Sequence, residues 1–120
     1  MYEIIFYKDR QDNEPLRDYL IELRKEAAKS KDGRIKRNKI VEYITILKTH
    51  GTRAGLPYTK YIDGDIWELR PLDDRILFAY WKDNSFVLLH HFHKTTNKTP
   101  PQEIDQAKRN LKDWKERNGD

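Results

Sequence analysis

The sequence predicts an α+β fold, an antiparallel sheet with helices packed against it in the order β-α-α-β-β-β-β-α. Three observations predict it. An opening run of β-branched and aromatic residues precedes two stretches of helical periodicity. Four strand-like segments then follow one another across short turns of Asp, Gly and Asn, and a last amphipathic stretch closes the order. A length of 120 residues fits one domain with a real core. Three Trp, seven Tyr and four Phe argue for a packed interior despite the hydrophilic average.

"MYEIIFYK" reads as a first strand over residues 2 to 8. "DRQDNEP" supplies turn residues and a proline suited to a helix's first turn. Leu16, Tyr19, Leu20, Leu23 and Ala27 then recur at spacings of three and four, an amphipathic helix that Asp32 and Gly33 should interrupt. A second helix follows, with Ile40, Val41, Ile44 and Leu47 on its apolar face, ending near Gly51, which suits a left-handed C-terminus. Turns at residues 63–65, 73–74 and 83–84 separate "LPYTKYI", "IWELRPL", "RILFAYW" and "FVLLHHFHK", a four-stranded antiparallel meander. Residues 95 to 102 form a polar loop with two prolines. Ile104, Ala107, Leu111 and Trp114 mark the last helix, whose apolar stripe should dock on the sheet.

Composition excludes several chemistries. With no cysteine there are no disulfides, thiolate nucleophiles or Cys-ligated metals. No apolar run approaches the roughly 18 residues that span a bilayer, so a soluble, cytoplasmic protein without membrane association is expected. A phosphate-binding Gly-rich loop, a Gly-x-Ser-x-Gly elbow and a His-Glu-x-x-His helix are all absent. The formal charge of +4 is unevenly spread: residues 24 to 60 hold eleven Lys and Arg against three Asp and Glu, a net +8. Such a segment suits a phosphate backbone, with Lys36, Arg37 and Arg53 as candidate RNA contacts; a solvated helix face is the plainer alternative.

The chemistry concentrates in "LLHHFHKTTNKTP", residues 88 to 100. Strand alternation puts Leu88, His90, Phe92 and Lys94 on one face and Leu89, His91 and His93 on the other. His91 and His93 are suited to share a metal, but no third ligand is identifiable, so no metal or other cofactor is expected. For His90 a satisfied structural role is preferred. His93 ends the strand beside Lys94 and a loop carrying Thr96, Lys98 and Thr99. A group that titrates near neutrality beside cationic phosphate donors suits RNA cleavage by its own 2′-hydroxyl. Arg70 and Arg75 flank the "PLDD" turn and are expected to reach the same surface, where arginine's fixed donors pair with phosphate oxygens. Each has an alternative use in a salt bridge to Glu68, Asp73 or Asp74.

"GLPYTKYIDGDIWELRPLDDRILFAYW" and "FVLLHHFHKTTNKTPPQEIDQAK" together resemble the HigB-like, phage-derived branch of the RelE superfamily of toxins. Shared features are Gly-Leu-Pro, a Glu-Leu-Arg strand, an arginine opening the next strand, and a Leu-Leu-His-x-Phe-x-Lys-Lys-Thr-x-Lys-Thr-Pro block before a helix, over roughly residues 55 to 110. The resemblance implies a RelE-like fold and the toxin of a type II toxin–antitoxin pair. Such a toxin is a metal-independent endoribonuclease that cuts mRNA on the translating ribosome and is held in a hetero-oligomer by a helix-turn-helix, HigA-like antitoxin. It further implies that Arg70 and Arg75 hold the scissile phosphate, that Lys94 and Lys98 add positive charge, and that Lys60 stands where a basic residue is usual. Thr95 departs from the pattern, replacing its second lysine. His93 lies outside the motif; its role as a proton carrier, shared with Lys60, rests on chemistry alone. The competing readings are a non-catalytic module that binds RNA or protein, and a metal-dependent nuclease built on the histidines.

Overall fold

The computed structural model describes residues 1–120. In chain order the elements are β1 (Glu3–Phe6), α1 (Pro15–Ala27), α2 (Lys31–His50), a 3-10 turn (Gly51–Ala54), β2 (Thr59–Asp63), β3 (Ile66–Leu69), β4 (Asp74–Tyr80), β5 (Ser85–His93) and α3 (Pro101–Asn118). This is the expected order of strands and helices.

The sheet runs β1-β5-β4-β3-β2. The meander β2 to β5 is antiparallel throughout, as its short turns require. Asp83 and Asn84 both take positive φ (58° and 60°), the backbone that lets a tight turn follow the twist of β4 and β5. The sheet as a whole is mixed, a correction to the antiparallel expectation, because β1 lies parallel to β5 from Glu3↔Ser85 to Phe6↔Leu88. The α1–α2 pair carries the chain from one edge of the sheet to the other before the meander begins. No local turn reports the relative direction of strands so far apart in sequence.

Helix α2 begins earlier than expected. Ser30 caps it, its hydroxyl accepting the Gly33 N–H at 3.0 Å, and the helix runs through Asp32 and Gly33. Gly33 is there for close approach: a Cβ would stand 2.9 Å from the Glu26 carbonyl carbon at the end of α1. Gly51 ends α2 with φ of 63°, and the ring of Tyr2 occupies the space a Cβ would need. Val41 is 46% exposed, not on the buried face, which Ile40 and Leu47 form with Tyr43 and Ile44.

Helices cover both faces of the sheet. Leu16, Leu23, Ile40 and Leu47 pack with Ile76, Phe78 and Leu88 on one face, and Ala107 and Leu111 of α3 pack with Leu77, Val87 and Leu89 on the other. The sheet is thus buried on two sides, and β4 and β5 lose the polar alternation of a half-exposed strand.

One irregularity decides where the histidines go. Phe78 pairs with Leu88 but Leu77 pairs with His90, so Leu89 is an extra residue in β5. A bulge of this kind reverses the facing of everything beyond it. Leu88, His91 and His93 consequently share the α1/α2 face, while Leu89, His90 and Phe92 share the α3 face. This corrects the alternation read from sequence.

Candidate functional site

On the α3 face, cross-strand registers bring Lys60, Glu68, Leu77 and His90 into one row, with Arg70 and Arg75 beyond it. Glu68 is the centre of the cluster. Its side chain is 3% exposed, it accepts a 2.6 Å hydrogen bond from the Thr99 hydroxyl, and it lies 3.4 Å from Arg70 Nε and 3.8 Å from Arg75 Nε. Both arginines therefore use the salt-bridge alternative open to them, with the same carboxylate.

The two differ in freedom. Arg75 is buried, donating from Nη1 to the carbonyls of Leu72 (2.7 Å) and Asp74 (2.8 Å), and so clasps the β3–β4 turn. Burial holds it below its ordinary value, with Glu68 opposing and Arg70 reinforcing that shift. Arg70 is a quarter exposed; its backbone N–H donates to Tyr58 O at 3.1 Å, but its guanidinium makes no hydrogen bond, and even Nε is out of line with Glu68. Its guanidinium is the one with donors to offer a ligand.

Lysines extend the positive face. Lys60 is exposed on β2, and Lys94 follows the end of β5, its N–H bonded to Asp73 O at 2.7 Å. Lys98 and Thr96 are exposed in the loop before α3, where the Thr96 hydroxyl donates to Lys98 O at 2.8 Å. None of these three lysines is ion-paired. His90 Nε2 lies 3.1 Å from Glu103 Oε1 in the first turn of α3, both side chains about a quarter exposed.

His93 does not join the arginines. It lies on the reverse face, Nδ1 3.1 Å from Asp74 Oδ1, which also receives His91 Nε2 at 2.9 Å and the Tyr19 hydroxyl at 3.0 Å. Tyr19 stacks on His91 with centroids 3.9 Å apart. Burial pushes the Asp74 carboxyl up, but the His91 hydrogen bond, the Lys36 ammonium and the Tyr19 hydroxyl outweigh it and hold the group below the usual carboxylate range. Burial foremost, then the Asp74 charge and hydrogen bond, push the Tyr19 phenol up, so Tyr19 is a donor.

Apart from Lys60, the candidate RNA contacts of the basic segment do not join Arg70. Lys36 is turned inward, Nζ 3.3 Å from His93 Nε2 and 3.9 Å from Asp74 Oδ2. Arg37 lines a shallow groove along α1 and α2 with Arg17 and Arg24, and Arg53 is exposed in the 3-10 turn beside Tyr2 and Tyr58. The structure thus brings together Lys60, Arg70 and Arg75 but leaves Lys36, Arg37 and His93 with the helical layer.

Sequence reasoning missed three members. Glu68 and Asp74 were visible only as salt-bridge alternatives, and His90 was set aside. Counted from the turn as Tyr80↔Phe86, an unbroken ladder would set Asp74 opposite Phe92, and only the bulge makes His93 its partner. No signal in the sequence marks the bulge that moves His90.

A family model described as "Phage derived protein Gp49-like (DUF891)" matches residues 29–112, well over half the chain, from the start of α2 into α3. The match includes both clusters except Tyr19. No curated protein matches the chain.

Proposed function

The chain belongs to the Gp49-like family of phage-derived proteins, a toxin-like family, and from that premise we propose that it is a HigB-like toxin of the RelE superfamily, an endoribonuclease acting on mRNA at the ribosome. Its partners are then the ribosome with its mRNA and a helix-turn-helix, HigA-like antitoxin in a cytoplasmic hetero-oligomer. No helix is long and apolar enough to cross a membrane.

The observation that carries the reading is the α3 face itself. Arg70 holds its donors free of hydrogen bonds beside unpaired Lys60, and the unpaired Lys94 and Lys98 follow on the adjoining loop. An excess of uncompensated cations at a sheet's end is suited to a phosphodiester. In the proposed reaction a 2′-hydroxyl attacks the adjacent phosphorus, the P–O2′ bond forms and the P–O5′ bond breaks, leaving a 2′,3′-cyclic phosphate and a 5′-hydroxyl. Charge that develops on the phosphoryl oxygens is stabilised by Arg70 and Lys94, with Arg75 holding the turn from which Arg70 projects. This chemistry uses only protein donors and requires no metal.

The proton carriers on this face are His90 and Lys60. His90, oriented by Glu103, takes the role that chemistry alone assigned to His93, which is on the other side of the sheet.

The test is induction of the chain in a bacterial host, with growth followed alongside mapping of mRNA 5′ ends for wild type and Arg70→Ala. Loss of one transition-state contact of this kind is worth about 2–4 kcal/mol, or about 30- to 1000-fold in rate. Growth arrest with in-frame cut sites that vanish in the variant is the expected result. Arrest without cut sites would make the chain a non-catalytic binder, and cleavage by a folded Arg70→Ala variant at the wild-type rate would remove Arg70 from the site.

A further inference from the structure

We propose that Asp74, His91 and His93 form a binding site for a d-block divalent cation, with Zn2+ as the type ion, on the face of the sheet opposite Arg70. The site is independent of the ribonuclease reading and uses none of its residues.

The donor set comes first. His91 and His93 stand two apart on β5 and share a face, and Asp74 reaches them from the neighbouring strand. Asp74 Oδ1 is 2.9 Å from His91 Nε2 and 3.1 Å from His93 Nδ1, and the three donor atoms lie within 4.8 Å of one another. Tetrahedral Zn2+ with bonds of about 2.0–2.2 Å spaces its donors by about 3.4 Å, so Asp74 Oδ1 must part from each imidazole by a few tenths of an ångström, while the two imidazoles, within 4.8 Å of each other, close on the ion by side-chain rotation. Two imidazoles and one carboxylate favour Zn2+, Co2+ or Ni2+ over Mg2+ and Ca2+, which seek oxygen donors alone.

A second observation, at the other carboxylate oxygen, points to a cation closer than the Lys36 ammonium, which stands 3.9 Å away. The Asp74 side chain is fully buried, and its Oδ2 has no hydrogen-bond partner. A buried, ionised oxygen without a donor costs free energy that a bound cation recovers. The surroundings also have the form of an outer coordination shell: the Tyr19 hydroxyl donates to Asp74, and its ring stacks on His91 and fixes the imidazole plane.

Lys36 identifies the preference of the site. Its ammonium is drawn to 3.3 Å from His93 Nε2 and 3.9 Å from Asp74 Oδ2 on a stem that is 32% exposed, so it can leave for solvent. It is a resident monovalent cation that an incoming divalent ion displaces. Beside it a cleft of about 290 Å³, with Asp32 and Asp73 at its walls, leaves room for water on an open coordination position. On binding, the N–H that each imidazole now directs at Asp74 gives way to a lone pair, its proton passing to the other ring nitrogen or to solvent.

The experiment titrates Co2+ into the full chain and reads its visible absorption, with Zn2+ as competitor and thermal melting as a second readout. His93 is half exposed, so His93→Gln folds, which circular dichroism verifies; Lys36→Met removes the resident ammonium. Wild type should take up one Co2+, release it to one Zn2+, and melt higher with Zn2+. His93→Gln should weaken binding at least tenfold, and Lys36→Met should tighten it about tenfold. Equal binding by wild type and folded His93→Gln, or Lys36→Met binding no tighter than wild type, overturns the proposal. Neither readout involves RNA cleavage, so failure here leaves the ribonuclease reading untouched, and its failure leaves this one standing.

Discussion

Replacing Glu68 with Gln isolates the charge at the centre of the α3 face. The amide is isosteric and still offers Thr99 an oxygen, so the change removes one negative charge and little else. Two guanidiniums lose their counter-ion, at 3.4 and 3.8 Å. At an effective dielectric of about 20 each pairing is worth about 4–5 kcal/mol before desolvation is subtracted. Removing one partner of a buried pair typically costs about 3–5 kcal/mol. Arg70 is a quarter exposed and can turn to water, whereas Arg75 is held by the carbonyls of Leu72 and Asp74 and cannot. Most of the loss therefore falls on Arg75, and we expect Glu68→Gln to lower stability by about 2–3 kcal/mol. Urea unfolding with an unchanged slope measures it, and a cycle with Arg75→Met assigns it. The same variant should bind RNA more tightly, with a steeper salt dependence, because one more cation faces the phosphate. A loss below about 0.5 kcal/mol would refute the reasoning, since so small an effect is that of a surface substitution.

Two further predictions follow from local geometry. Gly33→Ala gains about 1 kcal/mol of helix propensity but drives a Cβ to 2.9 Å from the Glu26 carbonyl carbon, where backbone cannot yield; we expect net destabilisation by about 1–2 kcal/mol, and a higher melting temperature would show that the helix ends separate freely. Asp113 is held down at about 2 by hydrogen bonds from Arg117 and Tyr7. Its pKa is depressed on folding, so its contribution is complete above the unfolded value of about 3.9 and is lost as pH falls toward about 2. Asp113→Asn should flatten the acid limb of the stability profile in that window, and an unchanged limb would assign the acid sensitivity elsewhere.

The sequence made the helices and the meander legible because their signals are local. Leu16 to Leu23 and Ala107 to Leu111 repeat at helical spacing, and the Asp, Gly and Asn turns fall between the strands. What misled were residues whose reason lies elsewhere in the chain. Gly33 reads as a breaker but is required by the approach of α1, and β1 pairs with a strand at the far end of the sequence. The candidate site was legible as a set of cations and misassigned as an arrangement. Arg70, Arg75 and Lys60 do meet, through a Glu68 visible only as an alternative partner, while the +8 segment lies mostly on helices behind them.

The bulge at Leu89 organises both sites. Without it His90 would face α1 and α2, and His91 and His93 would stand among the arginines, where their protonated forms would add to an already positive surface. One extra residue instead sends His90 to Glu103 and the other two to Asp74, so each imidazole meets a carboxylate. The faces remain connected through adjacent residues of β4: Asp74 directs its side chain to the histidines, while Arg75 turns the other way and its guanidinium grips the Asp74 carbonyl at 2.8 Å. The two clusters are thus joined by adjacent residues of a single strand, a carboxylate on one face and a guanidinium on the other.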